Sequence, residues 1–365
     1  MQAALAAAAR FGHPGQVVAV REYGHGNVND TFLATLAGRE ARHFIVQRLN
    51  THVFPQPALV MHNLRVFTEH ARQRLSQVRV DPTRRWETPQ ALPDQDGQDH
   101  WIDSQGSFWR ALSFIDHAHA LDAIQNNRHA EEVGLALGMF HLLASDLPPA
   151  RLADTLPGFH VTPVYLRAFD RVLAQRPPKP SPEVKYALNF ISHRRAWATI
   201  LEQARQEGRL TLRPIHGDPK VNNVMLDTDT GRAVGLIDLD TVKPGLIQYD
   251  LGDCLRSGCN PLGEETQDWQ AVQFDPDLCQ AILRGYLAWA RNFLTPDDYL
   301  YLYDAIRLIA FELGLRFVTD YLAGNAYFKA RHPEHNLWRA LVQFQLTASI
   351  ESQAGTIQTI IRDFK

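Results

Sequence analysis

Polar and apolar residues alternate through residues 17–50, broken by turn-forming stretches at Gly24–Asn29 and Gly38–Arg39. A period of two sends successive side chains to opposite faces, so this stretch predicts strand, glycine loop, strand, turn, strand. Pro55 and Pro57 then open a run in which Leu59, Val60, Leu64 and Phe67 fall at helical spacing, predicting a helix through ALVMHNLRVFTEHARQRL. Alternation returns over 86–116, where Asp103–Gly106 makes a turn between the two aromatic-rich strands of HWIDSQGSFWRALSFI. The first third therefore reads as an antiparallel sheet with one helix inserted.

After residue 120 the texture changes. Amphipathic helices are predicted over 128–146, 161–175 and 182–207, with the proline-rich loop RPPKPSP between the second and third. A short β interlude occupies 212–240, and helical spacing resumes over 277–323 and 334–362. Near the start, AALAAAARFG predicts a first helix; it is short and lacks a basic leader, so it does not read as a signal peptide. The pattern is that of an α+β chain, a small β lobe joined to a larger helical lobe that carries a small hairpin.

Composition narrows the function. At 365 residues the chain has room for roughly two domains or lobes, and 45% hydrophobic residues suffice to bury their cores. A formal net charge of −3 gives no electrostatic reason to expect nucleic acid or a membrane as partner. The pairs Arg84–Arg85 and Arg194–Arg195 read as solvated surface. Cys254, Cys259 and Cys279 form no CxxC and read as small half-buried thiols of a protein in the reducing cytoplasm. No membrane-length apolar run occurs, and the 16 His show no paired zinc-ligand spacing.

The chemistry concentrates in IHGDPKVNNVMLD, residues 215–227. Its His216, Asp218, Lys220 and Asn223 follow H-x-D-x-K-x-x-N, and Asp218 and Asn223 stand as far apart as the Asp and Asn of a protein-kinase catalytic loop. Twenty residues after Asp218, the apolar GLIDLD ends a strand with Asp238. Phosphoryl transfer needs a carboxylate to orient and deprotonate the attacking hydroxyl, and oxygen ligands for Mg²⁺. Asp218 suits the first task and Asn223 with Asp238 the second. Lys220 can stabilise the charge on the transferring phosphate, and His216 can brace the loop. HGD alone would read as a polar turn; the ordered set behind a β-rich lobe reads as a kinase.

Several stretches, in order along nearly the whole chain, carry a family resemblance: GHGNVNDTF, VQRLNTHVFPQPALVMHNL, FWRALSFI, HGDPKVNNVMLD, IDLDTVKPGLIQYDLGDCLRS and LGLRFVTDYLAGNAYF. The chain resembles the aminoglycoside phosphotransferase and choline kinase superfamily, and within it most of all the N-acetylhexosamine 1-kinases. The resemblance implies a bilobal protein-kinase-like fold, with an ATP-binding lobe over 1–115 and a catalytic, acceptor-binding lobe over 116–365. It implies ATP and Mg²⁺ as cofactors, Asp218 as catalytic base, and Asn223 and Asp238 as metal ligands. Asp250 and Asp253 of YDLGD would support the active-site loops, with a helix N-cap as the alternative for one of them.

On the nucleotide side, Gly24, Gly26 and Asn27 fall in the expected glycine-rich loop, although Asn29 stands where a third glycine is usual. The phosphate-binding Lys of the third strand is absent; Gln47 or Arg48 holds its place. The partner Glu of the following helix is not evident either, with His62, Asn63 and the more distant Glu69 on offer. Backbone groups around Phe114 and Ile115 would meet adenine at the hinge. On the acceptor side the helical FELGLRFVTDYLAGNAYF offers Arg316, Asp320, Tyr321 and Tyr327 together, with Asp240 as a further substrate-binding candidate, and the resemblance implies that Arg316 touches a sugar hydroxyl or the incoming phosphate. A salt bridge from Arg316 to Glu312 is the plainer alternative, and the aromatic residues at 311, 317 and 321 suit a core. A basic residue in that pocket suits a polar neutral sugar better than a polycation. The expected activity is phosphorylation of the anomeric hydroxyl of an N-acetylhexosamine. Alternatives are another sugar, an aminoglycoside or an amino alcohol, or a nucleotide-binding pseudokinase.

Overall fold

The computed structural model describes residues 1–11, 16–24, 28–38, 42–78 and 83–365. Three strands, β1 (Val17–Glu22), β2 (Asp30–Leu36) and β3 (Arg42–Arg48), follow the first helix, α1 (Gln2–Phe11). After helix α2 (Pro57–Leu75) come β4 (Ala91–Leu92), β5 (Trp101–Ile102) and β6 (Phe108–Ser113). They form one antiparallel sheet in the order β1-β2-β3-β6-β4, with β5 added to β6 across the expected Asp103–Gly106 turn.

Strand parity gives the sheet two unlike faces. Phe32, Ala34, Phe44, Val46, Trp109 and Ala111 turn to one side, where Ala4, Ala7, Ala8 and Phe11 of α1 cover them. The small alanines let α1 lie close to the sheet. The register pairs Thr31 with Gln47 and Gln47 with Arg110, so these three form a polar row on the opposite face. That face looks toward α2 and the larger lobe.

The larger lobe is mainly helical. It begins with β7 (Ala118–His119) and α3 (Asn127–Ala144), followed by α4 (Thr162–Gln175), α5 (Pro182–Arg194) and α6 (Ile200–Gln206). The β interlude consists of β8 (Arg213–Ile215), β9 (Val224–Asp227), β10 (Ala233–Leu236) and β11 (Lys243–Gly245). Helices α7 (Ile247–Gly258), α8 (Pro276–Ala290), α9 (Pro296–Leu300), α10 (Leu302–Ala323), α11 (His335–Ser352) and α12 (Ala354–Phe364) complete it. β7, β9 and β10 make one small antiparallel sheet, and β8 pairs with β11 in another.

Three predicted helices are interrupted. The 182–207 segment breaks at a 3₁₀ turn over Arg195–Trp197. The 277–323 segment stops at Ala290 and restarts at Pro296, where Thr295 and Asp298 form a reciprocal capping box. The last segment breaks at Gln353, whose amide donates back to the Phe274 carbonyl at 2.8 Å. The second is a local side-chain contact and the third a tertiary one, and apolar periodicity registers neither.

Helices α3 and α8 approach until backbones touch. A Cβ on Gly134 would sit 1.8 Å from the Ile282 carbonyl oxygen, and one on Gly285 would sit 1.9 Å from that of Glu131. Helix α10 is buried nearly all round, with Phe311 and Phe317 fully inside, in the core to which those aromatic residues were suited. Between the lobes, Val60, Met61, Leu64 and Phe67 of α2 pack with Met139, Phe140 and Leu143 of α3 and with Leu239 and Val242. Helix α2 thereby carries the small lobe on the large one.

Some surface readings need correction. Arg84 is largely buried and binds Glu132 through two guanidinium nitrogens, while Arg85 donates to the Asp116 and His117 carbonyls. Arg194 stacks on Phe190 and pairs with Glu351 at 2.6 Å. The three cysteines are fully buried rather than half-buried. No helix of the described residues is long and apolar enough to cross a membrane.

Candidate active site

The loop between β8 and β9 is held from below by one carboxylate. Asp250, fully buried in the first turn of α7, accepts from the His216 amide at 2.7 Å and the Gly217 amide at 2.8 Å. The His141 ring meets the same carboxylate at 2.9 Å and the Tyr286 hydroxyl at 3.0 Å. Burial pushes the Asp250 carboxyl upward, but these partners outweigh it and hold it below the usual carboxylate range. The helix N-cap is Leu246, so Asp250 serves the loop and not its own helix terminus.

His216 is also fully buried. Its Nε2 donates to the Ile237 carbonyl at 3.0 Å, and its Nδ1 accepts the Asp218 amide at 3.2 Å. These partners fix one neutral tautomer, and burial lowers the pKa in agreement. The histidine is a brace.

A second brace was not read from the sequence. His160, buried and at a positive φ of 62°, donates through Nε2 to the Gly217 carbonyl at 2.8 Å and through Nδ1 to Glu312 at 2.9 Å. Thr162 donates to the other Glu312 oxygen at 2.7 Å. Both His160 partners are acceptors, so the ring carries both protons. Burial opposes that charge, but the Glu312 hydrogen bond and charge outweigh it and raise the pKa. Residues so distant in sequence offered no local pattern to find.

Asp218 is thereby presented with one oxygen engaged and one free. Lys220 Nζ donates to Oδ2 at 2.7 Å, and Asn223 Nδ2 donates to Oδ2 at 3.2 Å and to the Asp218 carbonyl at 2.7 Å. Among the described residues Oδ1 has no hydrogen-bond partner. Burial presses the carboxyl upward, but Lys220 outweighs it and keeps Asp218 below its ordinary value, hence ionised at neutral pH. Burial likewise works against the Lys220 ammonium, and Asp218 followed by Asp238 holds its pKa above the ordinary lysine value.

Asp238 follows β10 in the left-handed region at φ 64°. Its side chain is exposed to solvent, yet the surrounding protein partly desolvates the carboxyl. That desolvation, then the charges of Asp240 and Asp218, push its carboxyl up to about 7. The donors suit Mg²⁺. The amide nitrogen of Asn223 is spent on Asp218, which leaves its oxygen for a ligand, and the crowded carboxylates would be relieved by a divalent cation. Among the described residues no group of three or more His, Cys, Asp or Glu stands ready to hold a metal, and Mg²⁺ beside phosphates needs no such cage.

Across the cleft, Gln47 and Arg48 separate. Gln47 lies in the polar row on the cleft face; Arg48 turns outward, pairs with Asp30 at 2.5 Å and lies over Trp109. The cation on the cleft face is Arg110, fully buried, which donates through Nε and Nη2 to Gln47 Oε1 at 3.0 and 2.7 Å. Arg110 also pairs with Asp240, whose other oxygen accepts from Asn29 Nδ2 at 2.6 Å. Asp240 is therefore buried against the small lobe and does not face the acceptor side. On α2, Asn63 binds the Val242 and Ala153 carbonyls at 2.8 Å each, while Glu69 is exposed.

Gly24 adopts a positive φ of 75° with open space around it; Gly26 and Asn27 lie outside the described residues. At the hinge, Phe114 packs edge-on to Tyr23 and His43, and Ile115 is buried with Met225 and Val234.

On the acceptor side, Arg316 makes no salt bridge with Glu312, whose carboxylate is taken by His160 and Thr162. Its guanidinium sits among the rings of Phe159, Tyr165 and Phe328, at 5.2, 5.1 and 5.4 Å. Among the described residues it has no ion-pair or hydrogen-bond partner. Tyr321 is not in this cage; it is half-buried against the core around α4, α5 and α10. Asp320 fastens the loop after α10 by accepting from the Tyr327 and Phe328 amides at 2.8 and 2.9 Å. Asp253 pairs with Arg256 at 2.7 Å, Arg256 with Glu264 at 3.1 Å, and Glu264 with Arg339. One Asp253 oxygen remains buried without a partner among the described residues.

Residues 19–291 match the family model described as the phosphotransferase enzyme family. Solved structures with the same fold include a microcompartment-associated aminopropanol kinase at 16% identity and TM-score 0.61, covering 98% of each chain. A choline kinase from Cryptosporidium parvum Iowa II is similar at 14% identity and TM-score 0.59, over 93% of this chain and 92% of its own. An aminoglycoside phosphotransferase from Alicyclobacillus acidocaldarius subsp. acidocaldarius DSM 446 is similar at 16% identity and TM-score 0.55, over 100% and 95%.

Proposed function

Because the chain belongs to the phosphotransferase enzyme family, we propose that it moves the terminal phosphoryl group of ATP to the anomeric hydroxyl of an N-acetylhexosamine. The observation that carries the reaction is the free Oδ1 of an ionised Asp218 whose Oδ2 is fixed by Lys220 and Asn223. Oδ1 accepts the proton of the acceptor hydroxyl as its oxygen bonds to the γ-phosphorus. The bond from that phosphorus to the β–γ bridging oxygen breaks, and ADP leaves. Lys220 supplies positive charge beside the transferring group. Asn223 and Asp238 would hold Mg²⁺, which when bound neutralises charge on the phosphate oxygens. Residues 1–115, with the glycine loop at Gly24 and the hinge at Phe114 and Ile115, would hold the nucleotide, and 116–365 the acceptor.

The neutral sugar is favoured by Arg316. An aromatic cage could receive choline or another ammonium, but here the chain's own guanidinium occupies it. A polycation would also meet repulsion there. A guanidinium lacking a carboxylate partner can donate to sugar hydroxyls or to the arriving phosphate. The remaining reading is a kinase of an amino alcohol, an aminoglycoside or another sugar.

ADP release with Mg²⁺-ATP separates these, using N-acetylglucosamine, N-acetylgalactosamine, glucose, galactose, kanamycin and choline. Turnover with an N-acetylhexosamine that stops when its anomeric oxygen is methylated supports the proposal. Turnover confined to kanamycin or choline overturns the sugar and leaves the Asp218 chemistry standing.

A further inference from the structure

A kinase small lobe ordinarily offers the nucleotide a lysine from its third strand, held in place by a glutamate of the following helix. Neither is present. The cleft-facing residue of β3 is Gln47, and α2 turns Met61 and Asn63 inward. Yet the polar row on that face converges on one buried cation. Arg110, the cross-strand neighbour of Gln47, is only 1% exposed. Two of its nitrogens share Gln47 Oε1, and Gln47 is itself oriented by its amide donating to Thr31 Oγ1 at 3.0 Å. Nη2 continues to Asp240, while among the described residues Nη1 meets only the Met61 sulfur at 4.0 Å.

Asp240 is two residues beyond Asp238 and lies in the same 3₁₀ turn as Leu239 and Thr241. Its second oxygen is held by Asn29, which enters β2 directly from the glycine loop and also accepts the Asn50 amide at 3.0 Å. Arg110 is among the charges that bear on Asp238. One ion pair thus ties three parts together: the glycine-loop edge, the central strands of the small lobe and the segment that carries Asp238. These parts must close around the phosphates of a nucleotide.

We infer that Arg110 and Asp240 form the interlobe ion pair that stands in place of the missing lysine–glutamate pair, with Arg110 as a positioning residue for the phosphate end of ATP. The inference rests on the kinase reading and deepens it. Arg110 is too enclosed to touch the nucleotide itself. It acts by setting the distance between the glycine-loop edge at Asn29 and the turn at Asp238.

The test compares wild type with Arg110→Met, Arg110→Lys and the double variant Arg110→Met/Asp240→Asn. Removing one member strands the other charge in the interior, so the single variant can fail by misfolding; the double variant leaves no buried charge behind. Binding of Mg²⁺-ATP and of adenosine is measured by calorimetry, with kcat and KM from ADP release. In the double variant, affinity for Mg²⁺-ATP should fall about 10-fold or more and kcat about 100-fold, while adenosine binding changes less than about 3-fold. Arg110→Lys should recover part of the loss, since an ammonium reaches Asp240 but cannot fork to Gln47 as well. Equal losses for adenosine and Mg²⁺-ATP, or a double variant that works like wild type, would assign the pair to core packing and overturn the inference. A wild type that binds no nucleotide would overturn the kinase reading and this inference with it; a wild type that binds nucleotide beside an unaffected double variant overturns the inference alone.

Discussion

At Asp218 the two oxygens of one side chain have different work. Oδ2 is spent on Lys220 and Asn223, while Oδ1 has no hydrogen-bond partner among the described residues and is the atom proposed to take the substrate proton. Asp218→Asn should lower kcat by about 10²–10⁴-fold, the usual worth of a positioned base, with Mg²⁺-ATP affinity by calorimetry nearly unchanged. A parallel loss of both would point to a collapsed loop instead. Asp238 makes a different prediction. Its carboxyl is pushed up to about 7, above the ordinary aspartate value, so in metal-free protein the ionised form strains the fold. Stability should fall as pH rises from the ordinary value of about 4 toward 7. Asp238→Asn should then raise the thermal midpoint of metal-free protein at about pH 8 and change little at about pH 4. Asp218, Lys220 and Asn223 were legible because one loop carries them at fixed spacing. His160 and Glu312 were not, because their only relation to that loop is in space.

At the scale of elements, the sheet's parity resolves what a string of letters leaves open. Val46 points to α1, so Gln47 points to the cleft and Arg48 outward, whatever their charges. The contact of α3 with α8 is stricter still. Gly134→Ala would set a methyl 1.8 Å from a carbonyl oxygen, which neither backbone can avoid without the helices parting. Urea unfolding should register a loss of at least about 3 kcal/mol. His160, just before α4, links Glu312 of α10 to the loop at Gly217 through its two ring protons. Its pKa is raised in the fold, so the stability it adds is complete below the unfolded value of about 6.5 and fades as pH rises through the folded value. The gap in thermal midpoint between wild type and His160→Gln should therefore narrow from acidic toward alkaline pH. A gap that widens would mean the ring is neutral.

Across the whole molecule, the lobes are joined by an apolar seam and a polar latch. The seam is α2 on α3, with the rings of Phe67 and Phe140 tilted at 31° and their centroids 4.5 Å apart. The latch is Arg110 with Asp240, at the back of the cleft. The seam favours no particular opening angle, because hydrophobic contact is non-directional. The latch does, because a guanidinium fork accepts few geometries. The phosphate end of the nucleotide should accordingly be more sensitive to the Arg110 variants than any other part of the reaction.

The sequence by itself determined the order of elements, the α+β class, the gathering of Asp218, Lys220 and Asn223 in one loop, and Asp238 just past a strand end. All of these depend on residues within a few turns or strands of one another, where periodicity and spacing are physical constraints. Only the tertiary structure decided which of Gln47 and Arg48 faces the cleft, that Arg110 supplies its cation, and that Asp240 belongs to the lobe junction. It also decided that Glu312 serves His160 and leaves Arg316 to three aromatic rings. A charged side chain chooses its partner by proximity after folding, and nothing in a sequence separation of 130 between Arg110 and Asp240 carries a trace of that choice.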